Sequence, residues 1–175
     1  MQQENIIIIR QERTEDFAEI RELIKTSFAS AAHSDGDEHR LVDRIRSSTE
    51  YIPELALVAL SDGCPVGYIL FSIISIGEVE AVALAPLAVK NAMQRKGIGK
   101  LLIERGHAIA RRLGYPCSVV LGYPEYYSQS GYLRASDFNI TPPFEVPDEC
   151  FMVCPFDKRD KIPQGVVRYS KAFGL

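Results

Sequence analysis

Gln94-Arg95-Lys96-Gly97-Ile98-Gly99-Lys100 joins an apolar run, Ala81 to Val89, to a helix-patterned run, Ile98 to Leu113. Two glycines and three cations stand where a strand hands over to a helix. The first backbone N–H groups of a helix have no partner within it, and the helix dipole makes that end partly positive. Such an end attracts anions. Gly97 and Gly99 let a ligand approach the backbone with no Cβ in the way. Arg95, Lys96 and Lys100 are unfavourable at a bare helix start, where acids are preferred, and become favourable once an anion sits there. The competing reading is a plain strand–helix turn with solvated cations, and glycine spacing alone does not separate the two. The stretch is neither a dinucleotide fingerprint, which needs a third glycine and a downstream acid, nor a P-loop, which ends in Gly-Lys-Ser/Thr.

Outward from this loop the pattern alternates between strand and helix. Upstream, Pro86 interrupts the Ala81–Val89 run. It cannot donate to a sheet ladder, so it predicts a bulge or an unpaired edge. Downstream, Ile98, Leu101, Leu102, Ala108, Ile109 and Leu113 form the apolar stripe of a helix, with Lys100, Glu104, His107 and Arg111 on an exposed face and Gly114 as its C-cap. Ser118 to Leu121 reads as a buried strand. Tyr123-Pro124 opens a turn or short helix that reaches Ser130 and ends at Gly131. Prolines 142, 143, 147, 155 and 163 break up the tail, leaving short strands near Cys150–Val153 and Val166–Tyr169.

Toward the N-terminus, Asn5 to Ile9 is a β-branched strand, and Thr14 is the expected N-cap of a helix carrying Phe17, Ile20, Ile24 and Phe28. His33 to Asp37 breaks that helix. Glu38 to Ser47 forms a second one, with Leu41, Val42 and Ile45 on one face. Leu55–Leu60 and Val66–Ile76 pair around an Asp62-Gly63 hairpin turn. Hairpins first and one strand–helix–strand crossover later give an α/β or α+β class with a mixed sheet. With no repeats or linker, residues 1–175 are expected to form one domain, 142–175 being its irregular C-terminal part.

The net charge is −3, which argues against a nucleic-acid binder. Between Lys90 and Arg112, seven cations face one acid, so this segment is +6 and the remainder −9. A local basic patch on an acidic chain suits a small polyanion. Cys64, Cys117, Cys150 and Cys154 show no zinc spacing and read as free, mostly buried thiols of a cytoplasmic protein. No signal peptide is visible, and the longest uncharged stretch, Gly63 to Gly77, is too short to span a membrane.

The loop in its strand–helix context resembles the acetyl-CoA motif of the GNAT superfamily of N-acetyltransferases, Gln/Arg-x-x-Gly-x-Gly/Ala. The likeness continues in Leu87-Ala88-Val89 before the loop and in Gly122-Tyr123-Pro124-Glu125-Tyr126-Tyr127, ending at Gly131-Tyr132, after the crossover. It is closest to a bacterial subgroup of predicted acetyltransferases and covers essentially the whole chain, the first 50 residues in layout more than motif. The resemblance implies a mostly antiparallel central sheet of about six to seven strands, flanked by helices, whose central strands splay apart. It implies that pantetheine runs along Leu87, Ala88 and Val89, and that Gln94, Arg95, Lys96, Gly97, Ile98, Gly99 and Lys100 hold the pyrophosphate of acetyl-CoA. Tyr127 takes the position of the general acid, and Tyr126 that of a packing aromatic. An amine, small or peptidic, would attack the thioester directly. A homodimer is compatible with the family.

Against this, Tyr127 has the alternative of a packed aromatic, and Gly122-Tyr123-Pro124 stands where the family often has Asn. No general base is evident: Glu78 and Glu80 read as solvated strand-end acids. His33, Asp35, Asp37, Glu38 and His39 lack metal-site spacing and read as a solvated loop bordering the acceptor site. Cys117 lacks a supporting His or acid. No metal is expected. A non-catalytic CoA or acyl-CoA binding module remains the second reading.

Overall fold

The computed structural model describes residues 6–175. Asn5, read as the start of the first strand, lies outside them. A nine-stranded sheet runs β1-β2-β3-β4-β5-β8-β6, with β9 joined to the far end of β3 and β7 joined to β9. The strands are β1 (Ile7–Gln11), β2 (Tyr51–Ser61), β3 (Cys64–Ile76), β4 (Val79–Val89), β5 (Cys117–Leu121), β6 (Leu133–Arg134), β7 (Ile140–Thr141), β8 (Phe151–Pro155) and β9 (Gly165–Arg168). The expectation of six to seven strands is too low, because two-residue strands such as β6 and β7 carry no periodicity. Pairing is antiparallel except for β4 with β5 and β7 with β9.

The helices are α1 (Phe17–Phe28), α2 (Glu38–Arg46), α3 (Ile98–Arg112) and a single turn, α4 (Pro124–Tyr127). β2 and β3 are apolar nearly throughout because both faces are covered. Leu57, Ile69 and Phe71 pack with Leu102 and Ile103 of α3. Val58, Tyr68 and Leu70 pack with Ile20 and Ile24 of α1 and with Val42 and Ile45 of α2. A third cluster joins Phe138, Phe151, Val153, Ile162 and Val167, which makes the proline-rich tail part of the sheet. Asp62 and Gly63 take left-handed φ values of 50° and 78°, the hairpin turn between β2 and β3.

Thr14 does not cap α1. A short 3₁₀ turn, Thr14–Asp16, precedes that helix. The Asp16 carboxylate accepts from the Arg13 N–H at 2.7 Å and pairs with Arg10. α2 is fixed by a buried ion pair, Arg46 Nη2 to Glu12 Oε2 at 2.6 Å, and the Tyr51 hydroxyl donates to Glu12 Oε1 at 2.8 Å. This anchoring sets the position of the wall that α2 gives to the site.

Candidate active site

β4 and β5 pair only through Val82–Ser118 and Ala83–Val119. Beyond Ala83 they part. β4 slips register against β3 here: Phe71 faces Leu84 and Ile69 faces Leu87, so Ala85 and Pro86 span the bulge that Pro86 predicted. The Lys90 N–H donates to Val66 O at 2.8 Å. By strand alternation, Leu87 and Val89 then direct their N–H and C=O groups away from β3, toward the gap. Ala88 directs its backbone to β3 and buries its side chain against the α1 layer, so it offers nothing to the gap. The Val89 carbonyl accepts from Ser27 Oγ at 3.1 Å and from Gln94 Nε2 at 3.2 Å. The rest of this edge is open, and an extended amide-bearing chain can lie along it as an added strand.

The gap opens into a cleft of about 610 Å³. One side is formed by Leu84 to Leu87 and by Val120 to Gly122, the two parting strands. Tyr123, Tyr126 and Tyr127 stand beside them. The other side comes from α1, α2 and the segment between, including Phe28, His33 and Glu38.

Next to this edge, Arg95 and Gly97 adopt left-handed φ values of 62° and 80°. Gly97 is the N-cap of α3, with no side-chain cap and no acid in the first turn. The N–H groups of Ile98, Gly99 and Lys100 therefore face outward without a protein acceptor among the described residues. Arg95, Lys96 and Lys100 are exposed, and Arg95 has no ion partner among the described residues. Lys100 approaches Glu104 at 3.9 Å. Ile98 is buried in the core, so only its backbone can serve a ligand. The Gln94 side chain bonds Val89 O and Asn91 Oδ1, which holds the loop in place.

Two further glycines prove to be spaces for tyrosines. A Cβ on Gly99 would lie 2.1 Å from the Tyr126 hydroxyl oxygen, so that phenol rests on the first turn of α3. A Cβ on Gly122 would lie 2.3 Å from the Tyr127 ring. The departure from Asn at this position thus has a packing reason. Tyr126, expected as packing, is half exposed and lines the cleft.

Tyr127 sits on α4, which Pro124 opens at its first position. Its ring meets Tyr126 and Tyr132 edge-on, at 5.0 and 5.6 Å. Burial, with Tyr126 beside it, holds its phenol above the ordinary range, so the proton stays on the oxygen. The hydroxyl has no hydrogen-bond partner among the described residues, which leaves it free to donate into the cleft.

His107 corrects the sequence reading. It is not exposed: it packs against Phe71, Tyr132 and Phe156, and its Nε2 lies 3.0 Å from the Tyr132 hydroxyl. That hydroxyl also meets Ser118 Oγ at 2.8 Å. Burial, aided by Arg111, pulls the His107 pKa down to about 4. Cys117 is buried and its thiol is pushed up to about 12, an unreactive state. Only Cys117 and Cys154 of the four cysteines are fully buried; Cys64 is exposed and Cys150 half-buried. Glu78 and Glu80 are exposed at the start of β4 and do not line the cleft. Among the described residues no cluster of His, Cys, Asp and Glu can hold a metal ion.

Residues 17–138 match the Acetyltransferase (GNAT) family. The chain belongs to this family. The GNAT family N-acetyltransferase YhbS of Escherichia coli, solved in complex with CoA, superposes with a TM-score of 0.89 at 27% identity, covering 100% of this chain and 96% of that one. A GNAT family acetyltransferase from Brucella melitensis, solved with acetyl-CoA, gives 0.81 at 34% identity over 97% and 99% of the two chains. YjhQ of E. coli K12, named an uncharacterized N-acetyltransferase, is 32% identical over 146 residues, 79% of this chain and 78% of its own. The mixed, mostly antiparallel sheet flanked by helices agrees with the fold of that family.

Proposed function

We propose that this protein moves the acetyl group of acetyl-CoA to an amine. The observation that carries the reading is one continuous arrangement: the free edge at Leu87 and Val89, the open amides of Ile98 to Lys100, which adjoin that edge where Gly99 meets Leu87 and Tyr126, and Tyr127 on the cleft into which the edge opens. The edge suits the amides of a pantetheine arm. The α3 amides, with Arg95, Lys96 and Lys100 around them, suit a pyrophosphate. The CoA and acetyl-CoA carried by the two structural relatives support acetyl-CoA as the donor.

Transfer is direct. The neutral amine attacks the thioester carbonyl, forming a C–N bond as the C–S bond breaks. Tyr127 gives its phenolic proton to the departing thiolate, and the proton shed by the nitrogen restores the phenol through solvent. Cys117, at the base of the parting strands, is held protonated and does not line the cleft, which disfavours it as an acyl carrier. Four free cysteines accord with a reducing, cytoplasmic setting, and no described helix is long and apolar enough to cross a membrane.

The test is CoA-thiol release with a panel of amines. Tyr127→Phe is expected to lower kcat by about 10²- to 10⁴-fold with little change in the KM for acetyl-CoA. Acetyl-CoA that raises the melting temperature while no amine gives turnover would replace this reading with a binding module.

A further inference from the structure

The cleft carries more information than the acetyl donor uses. Its wall opposite the parting strands comes from α1, α2 and the segment between them. Glu38 stands there, and it is the only Asp, Glu, Lys or Arg side chain among the residues lining the cleft. Its neighbour Asp37 is paired with Arg44 at 2.7 Å, outside the cleft lining. Glu38 itself has no ion partner among the described residues. It is half-buried and opens α2, where the helix dipole favours a negative side chain. The rest of the lining is mostly apolar or aromatic, with Phe28, Leu41, Tyr123, Val146 and Pro147, and with His33 and Ser34 as polar neighbours on the same wall. A single unpaired carboxylate in an apolar wall selects for one positive charge carried on an apolar body. One acid does not match the several charges of a polyamine or of an aminosugar that carries several ammonium groups.

We infer that the acetyl acceptor is a small monocationic primary amine with an apolar body, its ammonium held by Glu38 and its body packed between Phe28, Leu41, Tyr123 and Pro147. This deepens the acetyl-transfer reading and rests on it. Glu38 acts in recognition, drawing the protonated amine into the cleft before the nitrogen releases its proton to solvent and attacks.

The experiment compares initial rates with n-alkylamines of increasing length, phenethylamine, spermidine, kanamycin and a lysine-containing peptide, at saturating acetyl-CoA. Amine KM is expected to fall about fourfold per added methylene until the pocket is filled, as burial of about 0.8 kcal/mol per methylene requires. Phenethylamine and the longer alkylamines are expected to exceed the others in kcat/KM. Glu38→Gln is expected to raise their KM by about tenfold or more, as loss of a charged hydrogen bond does, with the KM for acetyl-CoA unchanged. Turnover of kanamycin, spermidine or the peptide without turnover of the apolar monoamines overturns the acceptor class and leaves acetyl transfer standing. An amine KM that ignores chain length overturns it too, and needs no variant. Absence of turnover with every amine, acetyl-CoA still binding, overturns both readings.

Discussion

Gly99 shows how much one missing methyl group can decide. The hydroxyl of Tyr126 occupies the space where a Cβ would sit, and Leu87 Cδ2 lies 3.7 Å from the same point. Leu87 on the open edge of β4, Tyr126 on the cleft and the first turn of α3 therefore meet at a glycine. Gly99→Ala leaves the helix itself content, since Ala is the better helix former by about 0.5–1 kcal/mol. The cost falls on Tyr126, whose phenol must swing away, and on any anion approaching the open amides. Urea unfolding is expected to change little, while titration calorimetry shows acetyl-CoA binding weakened by about tenfold, about 1.4 kcal/mol. An unchanged Kd would mean that no ligand approaches this turn. His107 makes the second argument at this scale. Its folded pKa of about 4 lies below the unfolded 6.5, so the unfolded chain binds the extra proton between those values. The contribution of His107 to stability is full above pH 6.5 and is lost as pH falls toward 4, in total on the order of 3 kcal/mol. His107→Phe, which does not titrate, is expected to flatten this part of the pH–stability curve in urea denaturation. A parallel curve for wild type and variant would show that another group sets the acid limit.

At the scale of elements, the longer helices and strands could be read from periodicity, because each buries a face against the sheet or forms part of a doubly covered one. Pro86 likewise announced its bulge, since a missing N–H has only a few places to go. What could not be read is contact between distant segments. The wheel of α3 places His107 on a polar face, yet Tyr132 and Phe156 come from after the crossover to cover it. Glu38 could be placed at the start of a helix, but its facing the same cleft as Tyr127 depends on the fold. The pairing of Gly99 with Tyr126 and of Gly122 with Tyr127 has no sequence signal beyond the glycines themselves. The loop into α3 is the element whose sequence oddity, cations at a helix start, had a structural answer: Arg95 and Gly97 in left-handed conformation turn successive amides outward, and nothing among the described residues accepts from them. If these amides and cations hold a pyrophosphate, the triple variant Arg95→Ala, Lys96→Ala, Lys100→Ala weakens acetyl-CoA binding and flattens its dependence on salt, because exposed cations act through a screened field. Titrations at low and high ionic strength measure this. A triple variant with the salt dependence of wild type would assign the cations to solubility alone.

For the whole molecule, the question is what keeps the gap open. β5 is the far lip of the cleft, and beside β4 it has only two residue pairs. It does not stand alone because β8 pairs with it along its full length, from Cys117–Pro155 to Leu121–Phe151. The tail, although broken by prolines 142 to 163, is thus the support of the cleft. Phe151 is its anchor: it is buried, opposite Leu121 at the lip, and meets Phe144 edge-on at 6.2 Å. A sheet whose central strands part needs such outside support, since beyond Ala83 no ladder joins them. Phe151→Ala is therefore expected to cost about 3–5 kcal/mol in urea unfolding, the range for removing a buried aromatic ring. It is expected to weaken acetyl-CoA binding as well, although Phe151 does not line the cleft, because the lip loses its backing. A loss below about 1 kcal/mol would place Phe151 outside the cooperative core. A stability loss in the expected range with acetyl-CoA affinity intact would show that β4 and α3 hold the donor without help from β5.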